Sequence, residues 1–129
     1  VCSSDLLEQL SGREPSIIEM IGVSGSLQNF YNGVEKIFER IILALYGKLP
    51  EGEEWHTMLL QQIESNSIID HSLFLRLLDY LRFRHRHRHS YGHTLEWARL
   101  LPLARDVSDT SEIFRKQIYS FLESYSNNS

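Results

Sequence analysis

Apolar residues recur three and four positions apart from Pro15 onward: Ile17, Ile18, Ile21, Leu27, Phe30, Tyr31, Val34, Ile37, Phe38, Ile41, Ile42 and Leu45. That spacing keeps them on one side of an α-helix. It predicts a single long amphipathic helix, opened by Pro15, whose missing N–H is harmless in a first turn, and closed near Gly47. Gly22, Gly25 and Gly33 lie inside it, each costing about 1 kcal/mol of helix propensity relative to Ala. Glycines kept at that cost point either to close packing of another helix or to a seam between two copies of the chain.

Pro50 and Gly52 mark a turn, and Glu53 and Glu54 suit the positive end of a following helix dipole. That second helix carries Trp55, Met58, Leu59, Gln62 and Ile63 and should stop around residues 65–67. Ser67 and Asp70 have capping-box spacing, which announces a third helix with a stripe of Leu73, Phe74, Leu77, Leu78 and Leu81. Beyond Gly92, the apolar residues Leu95, Trp97, Leu100, Leu101 and Leu103 form a short stretch that Pro102 is expected to break. Asp109 with Glu112 then resembles a further cap, ahead of a last helix bearing Ile113, Phe114, Ile118, Phe121 and Leu122. Residues 3–10 fit a short helix ended by Gly12, and the segments 1–13 and 124–129 are expected to fray. No strand, hairpin or internal repeat emerges. The expected fold is all-α, an antiparallel bundle of about four main helices in one domain spanning 1–129.

Composition narrows the class without changing that picture. With 129 residues, 42% hydrophobic and 23% charged, the chain suits one globular domain with a single core. No apolar run approaches the roughly 18 residues of a membrane span, and no signal-peptide pattern opens the chain, so the expectation is no membrane and a cytoplasmic location. The lone Cys2 has no internal disulfide partner.

Charge alters the picture more. The formal net charge is −4, yet four of the 13 Lys+Arg residues and four of the six His fall within residues 82–93. The run reads Arg82, Phe83, Arg84, His85, Arg86, His87, Arg88, His89, Ser90, Tyr91, Gly92, His93. A basic patch confined to twelve positions of an acidic chain suggests a site. A histidine can take or give a proton near neutral pH, and an arginine fork can hold non-bridging phosphate oxygens. Together, without metal, they can run transesterification of RNA, leaving a cyclic phosphate and a free 5′-hydroxyl. The neighbouring Arg82, Arg86 and Arg88, with His85, would hold flanking phosphates and make activity salt-sensitive. On a helix, positions 84 and 91 lie about 20° apart, whereas 84 and 89 lie about 140° apart. If Arg84 and His89 serve one phosphate, the helix must end or distort between them, with Gly92 well placed to end it, or a second copy must complete the site.

Arg84, His89 and Tyr91 form an R-x4-H-x-Y pattern that resembles the motif of HepT toxins, the ribonuclease members of the HEPN superfamily. Arg82 with His87 and Arg88 with His93 also have the five-residue step, but only the Arg84–His89 pair is followed by Tyr two positions on. His85 occupies the position after the Arg where the superfamily favours a polar residue. Leu95, Glu96, Trp97 and Pro102 resemble the same branch, as do residues 29–33 with Glu35 and Lys36 in the first helix. The resemblance implies a metal-independent RNase of a toxin–antitoxin module, homodimeric, with Arg84 and His89 as the catalytic pair. It further implies an MNT-type nucleotidyltransferase antitoxin that uses ATP and Mg²⁺ to place AMP on Tyr91. No cofactor of the toxin itself is implied. A phosphodiester on that phenol would set negative charge against the arginines and obstruct RNA entry.

Simpler readings stand beside these. His85, His89 and His93 at i, i+4 and i+8 are able to ligate a metal, but only Glu96 is available to complete the set. The arginines would equally solvate a helix face or meet an acidic partner, Tyr91 would equally pack, and Tyr31, Trp55 and Trp97 read as core aromatics. His56 and His71 read as ordinary surface residues. The rival to a nuclease is a non-catalytic helical module that binds the nucleotidyltransferase or nucleic acid.

Overall fold

Ser16 starts the first helix by a reciprocal cap. Its hydroxyl accepts the Glu19 N–H (3.2 Å) while the Glu19 carboxylate accepts the Ser16 N–H (2.9 Å), so two donors that a helix start leaves orphaned are satisfied. The computed structural model describes residues 16–89 and 97–127, without the side chains of residues 85–89 and 127. Helix α1 spans Ile17–Tyr46 and ends at Gly47, whose left-handed φ of 78° lets its N–H reach the Leu43 carbonyl (2.8 Å). Only glycine takes that backbone without strain. Helix α2 spans Trp55–Ser65, α3 spans His71–His89 and α4 spans Trp97–Asn127.

The expected all-helical bundle is what these elements build. Helices α1 and α3 each pack against all three others. Phe38, Ile42, Leu60, Ile63, Leu73 and Leu77 are fully buried at the centre. Helices α3 and α4 run antiparallel, since Asp70 meets Gln117, Arg76 meets Asp109 and Tyr80 meets Leu103. Helix α2 behaves differently towards α1. Glu35 meets His56 and Tyr46 meets Asn66, pairs in the same order along both helices, so α2 runs parallel to the last third of α1 and segment 47–54 is a return connection.

Three expected boundaries move. Ser67 does not cap α3; it adopts a positive φ of 60° in the turn, and Asp70 is the cap, its carboxylate accepting the Leu73 N–H (2.8 Å). Pro102 does not break the chain into two helices, because α4 runs straight through it. The N–H that Pro102 lacks would have gone to Ala98; both residues are on the solvent side of the helix, where a freed carbonyl is not cut off from water. One lost rung, roughly 3 kcal/mol, is offset by the continuous stripe of Leu100, Ala104, Val107, Phe114 and Ile118 that the unbroken helix buries. Asp109 and Glu112 are accordingly mid-helix and pair with Arg76 and Arg115. Residues 124–127, expected to fray, continue the helix, with Tyr125 stacked on Phe121. The expected helix at 3–10, the remainder of segment 1–13 and residues 128–129 lie outside the described residues.

A Cβ built on Gly22, Gly25 or Gly33 would meet no described atom within 4 Å. Close packing of another described helix is therefore not what those glycines serve. No helix among the described residues is long and apolar enough to cross a membrane.

Candidate functional site

Arg84 lies on the apolar stripe of α3, seven positions after Leu77 and three after Leu81, and only 5% of it is exposed. A guanidinium in such a position has to find partners inside the protein. Helix α1 supplies them from its own apolar stripe, where Glu35 stands between the buried Val34 and Phe38 and is itself 5% exposed. Arg84 Nη1 donates to Asn32 Oδ1 (2.6 Å) and Glu35 Oε1 (3.2 Å). Nη2 donates to Glu35 Oε2 (3.3 Å) and stands 2.8 Å from His56 Nδ1. The same His56 nitrogen is 2.7 Å from Glu35 Oε2. The face of Tyr31 closes the cluster, its ring centroid 5.1 Å from the guanidinium carbon, a cation–π contact strengthened by burial. Trp55 stacks against the His56 ring at 3.8 Å between centroids.

The cluster couples three helices: Tyr31, Asn32 and Glu35 come from α1, His56 from the first turn of α2, and Arg84 from α3. Burial, and after it the Glu35 charge, keeps the Tyr31 hydroxyl protonated well above the ordinary tyrosine range, against the opposing pull of Arg84. Tyr31 is thus a neutral wall rather than a charge. The Arg84–Glu35 separations are long for a charge-assisted pair, which ordinarily closes to about 2.7–2.9 Å, whereas the carboxylate sits at that distance from His56.

Of the residues the sequence singled out, Arg84 is placed firmly and Arg82 is exposed on the same helix. The positions of His85, Arg86, Arg88 and His89 are helical, since α3 continues unbroken to His89, but their side chains lie outside the described residues. Tyr91, His93 and Glu96 lie outside them altogether. The helix does not end or distort between positions 84 and 89, so the first of the two geometries considered for a shared phosphate is not adopted.

Sequence reasoning missed His56. Read as a surface residue, it is a member of the Arg84 cluster, three-quarters buried at its side chain. A signal was present: Glu35 and Arg84 both occupy core positions of apolar stripes, and a charge at such a position calls for an opposite charge on a facing helix. Nothing in the pattern around His56 gave a comparable indication.

Residues 22–125 match the model of a protein family described as HepT-like protein. The chain belongs to the HepT-like family. The match takes in all of α2 and α3 and most of α1 and α4, so this HepT-like protein of the HEPN superfamily carries Asn32, Glu35, His56 and Arg84 within its family-typical region. No curated relative and no solved structure matches the chain. The partly buried Trp55 and Trp97 and fully buried Tyr31 pack on the core of the HepT-like bundle as expected of core aromatics.

Proposed function

We propose that this HepT-like protein is a metal-independent RNase toxin of an MNT/HepT-type toxin–antitoxin module, acting as a homodimer. Arg84 and His89 are its catalytic pair, and Arg82, His85, Arg86 and Arg88 hold flanking RNA phosphates. In the reaction, the ribose 2′-oxygen attacks phosphorus as its proton passes to a base, and the bond to the 5′-oxygen breaks as that oxygen receives a proton. The products are a cyclic phosphate and a 5′-hydroxyl. Histidine supplies the proton transfers and the arginine fork stabilises the charge on the non-bridging oxygens. Family membership carries the proposal, supported by an arginine of the R-x4-H-x-Y pattern whose orientation three helices hold. The unbroken α3 favours the second geometry, in which two copies of the chain complete one phosphate site. The nucleotidyltransferase antitoxin, using ATP and Mg²⁺, silences the toxin by AMPylation of Tyr91.

One observation favours the rival module: Arg84 is 5% exposed and both its terminal nitrogens are already engaged, as a purely structural arginine would be. Arg84→Lys and His89→Ala separate the two readings. Loss of RNA cleavage in EDTA-containing buffer, with fold and dimer retained, supports the RNase. Absence of cleavage by the unaltered protein supports the module. Intact mass after incubation with the nucleotidyltransferase and ATP, followed by peptide mapping, tests the modification; AMP on any residue other than Tyr91 refutes that part.

A further inference from the structure

One carboxylate in this site faces two groups that compete for it. Glu35 Oε2 is 2.7 Å from His56 Nδ1 and 3.3 Å from Arg84 Nη2, and that Nδ1 is in turn 2.8 Å from Nη2. A single ring nitrogen cannot donate to the carboxylate and accept from the guanidinium at once. When Nδ1 carries a proton it bonds Glu35 and turns a donor towards the Arg84 donor; when it carries none, it accepts from Arg84 and turns a lone pair towards the carboxylate.

We infer that His56 is a positioning residue that sets, through Glu35, whether the Arg84 guanidinium is free to hold a phosphate. With His56 neutral and its proton on Nε2, Nδ1 accepts from Arg84, Arg84 and Glu35 cancel, and the buried cluster has no charge to offer an anion. With His56 protonated, the cluster carries a net charge of one, the carboxylate is held on the imidazolium side, and the Arg84 fork keeps only Asn32 as an uncontested partner. A bound phosphate anion restores neutrality, which in a buried site is the stronger driving force. Among the described residues, the other groups against the cluster do not offset this charge: α1 adds the neutral Tyr31 and Asn32, and α2 adds Trp55. The imidazole is the one member with access for a proton, its side chain 24% exposed against 7% for both Glu35 and Arg84. Phosphate affinity should therefore rise as pH falls and the imidazole takes up its second proton. The purpose assigned to this exchange rests on the proposed phosphodiester chemistry, whereas the exchange itself does not.

The experiment follows the Arg84 side-chain nitrogen signals by NMR in the full chain as pH is lowered, in the wild type and in His56→Gln, with His56→Asn as a second variant. In parallel it measures affinity for an RNA made uncleavable by 2′-O-methylation. Arg84 signals that move with the same midpoint as the His56 ring, and stop moving in both variants, are expected. The wild type should also lose affinity on raising the pH by up to about tenfold per unit more than the variants do, the limit for one linked proton. Arg84 signals indifferent to His56 protonation, or an RNA affinity whose pH dependence is the same in wild type and variants, would overturn the inference. Arg84 following His56 in a protein that binds no RNA at any pH supports the exchange and defeats the proposed nuclease instead.

Discussion

Replacing Glu35 with Leu should be among the most damaging single substitutions in this protein, and the damage should be relieved by a second substitution. Glu35 and Arg84 are both 5% exposed. Without Glu35, the guanidinium keeps Asn32, the Tyr31 face and a contact with the His56 nitrogen, but no opposite charge. An uncompensated buried charge of this kind costs about 3–5 kcal/mol. The reverse change is milder. In Arg84→Met the carboxylate retains His56 at 2.7 Å, so the cost falls to about 1–3 kcal/mol, that of a buried polar group losing part of its bonding. The double variant, Glu35→Leu with Arg84→Met, removes both charges and should recover most of the loss, because replacing a whole buried pair by apolar groups is often close to neutral. The coupling energy from the cycle should therefore be at least about 3 kcal/mol, since the two single losses together far exceed that of the double. Thermal and urea unfolding, at one protomer concentration throughout so that association does not shift the midpoint, measure it. For a chain of this length about 4 °C accompanies each kcal/mol, so Glu35→Leu should melt at least about 12 °C low. Two single variants each within about 1 kcal/mol of wild type, and additive in the double, would show that water already screens the pair and that the reasoning fails.

Further outcomes follow from other places in the bundle. Asp70→Ala and Gln117→Ala should each destabilise by about 1 kcal/mol, and together by clearly less than the sum, because Gln117 both accepts the Asp70 N–H and donates to its carboxylate; strict additivity in urea unfolding would contradict this. Gly47→Ala should cost about 1 kcal/mol by forcing an L side chain into the left-handed cap at φ 78°, and an unchanged unfolding midpoint would argue against that cap. Burial pushes the Tyr80 hydroxyl from 10.0 up to about 12, with Asp106 and Asp79 raising it further and Thr110 and Arg76 opposing. Its stabilising contribution, which includes the bond to the Leu103 carbonyl (2.7 Å), is thus complete below pH 10 and lost as pH rises through about 12. Tyr80→Phe should be about 1 kcal/mol less stable at neutral pH and should lose less on further alkaline titration. An equal alkaline loss in both proteins, followed by unfolding at constant temperature, would exclude Tyr80 as a contributor.

Much of the bundle was legible in the order of residues. The α1 stripe placed a helix that runs over Ile17–Tyr46, and Gly47 marked its end. Those signals are local: a repeat of three and four and a glycine able to take a left-handed backbone act within a few residues of themselves. Pro102 and the spacings Ser67–Asp70 and Asp109–Glu112 misled, because each is a local signal that a distant residue overrides. Pro102 is carried by the stripe that α4 buries along its whole length, and the carboxylate of Asp70 is completed by Gln117, 47 positions away.

The basic run and the R-x4-H-x-Y pattern could be read from the sequence, but they put Arg84 in an RNA-facing patch and do not show its burial beside Glu35. The sequence by itself thus determined the helical class, most of the buried faces and the family, while the pairing of Glu35 with Arg84 emerged only in the structure. Which residues surround that pair was decided only by tertiary structure. The parallel return of α2 alongside α1 brings His56 to Glu35, 21 positions away, and to Arg84, 28 positions away. No periodicity encodes such a meeting, since hydrophobic spacing says which side of a helix is buried but not which neighbour it is buried against.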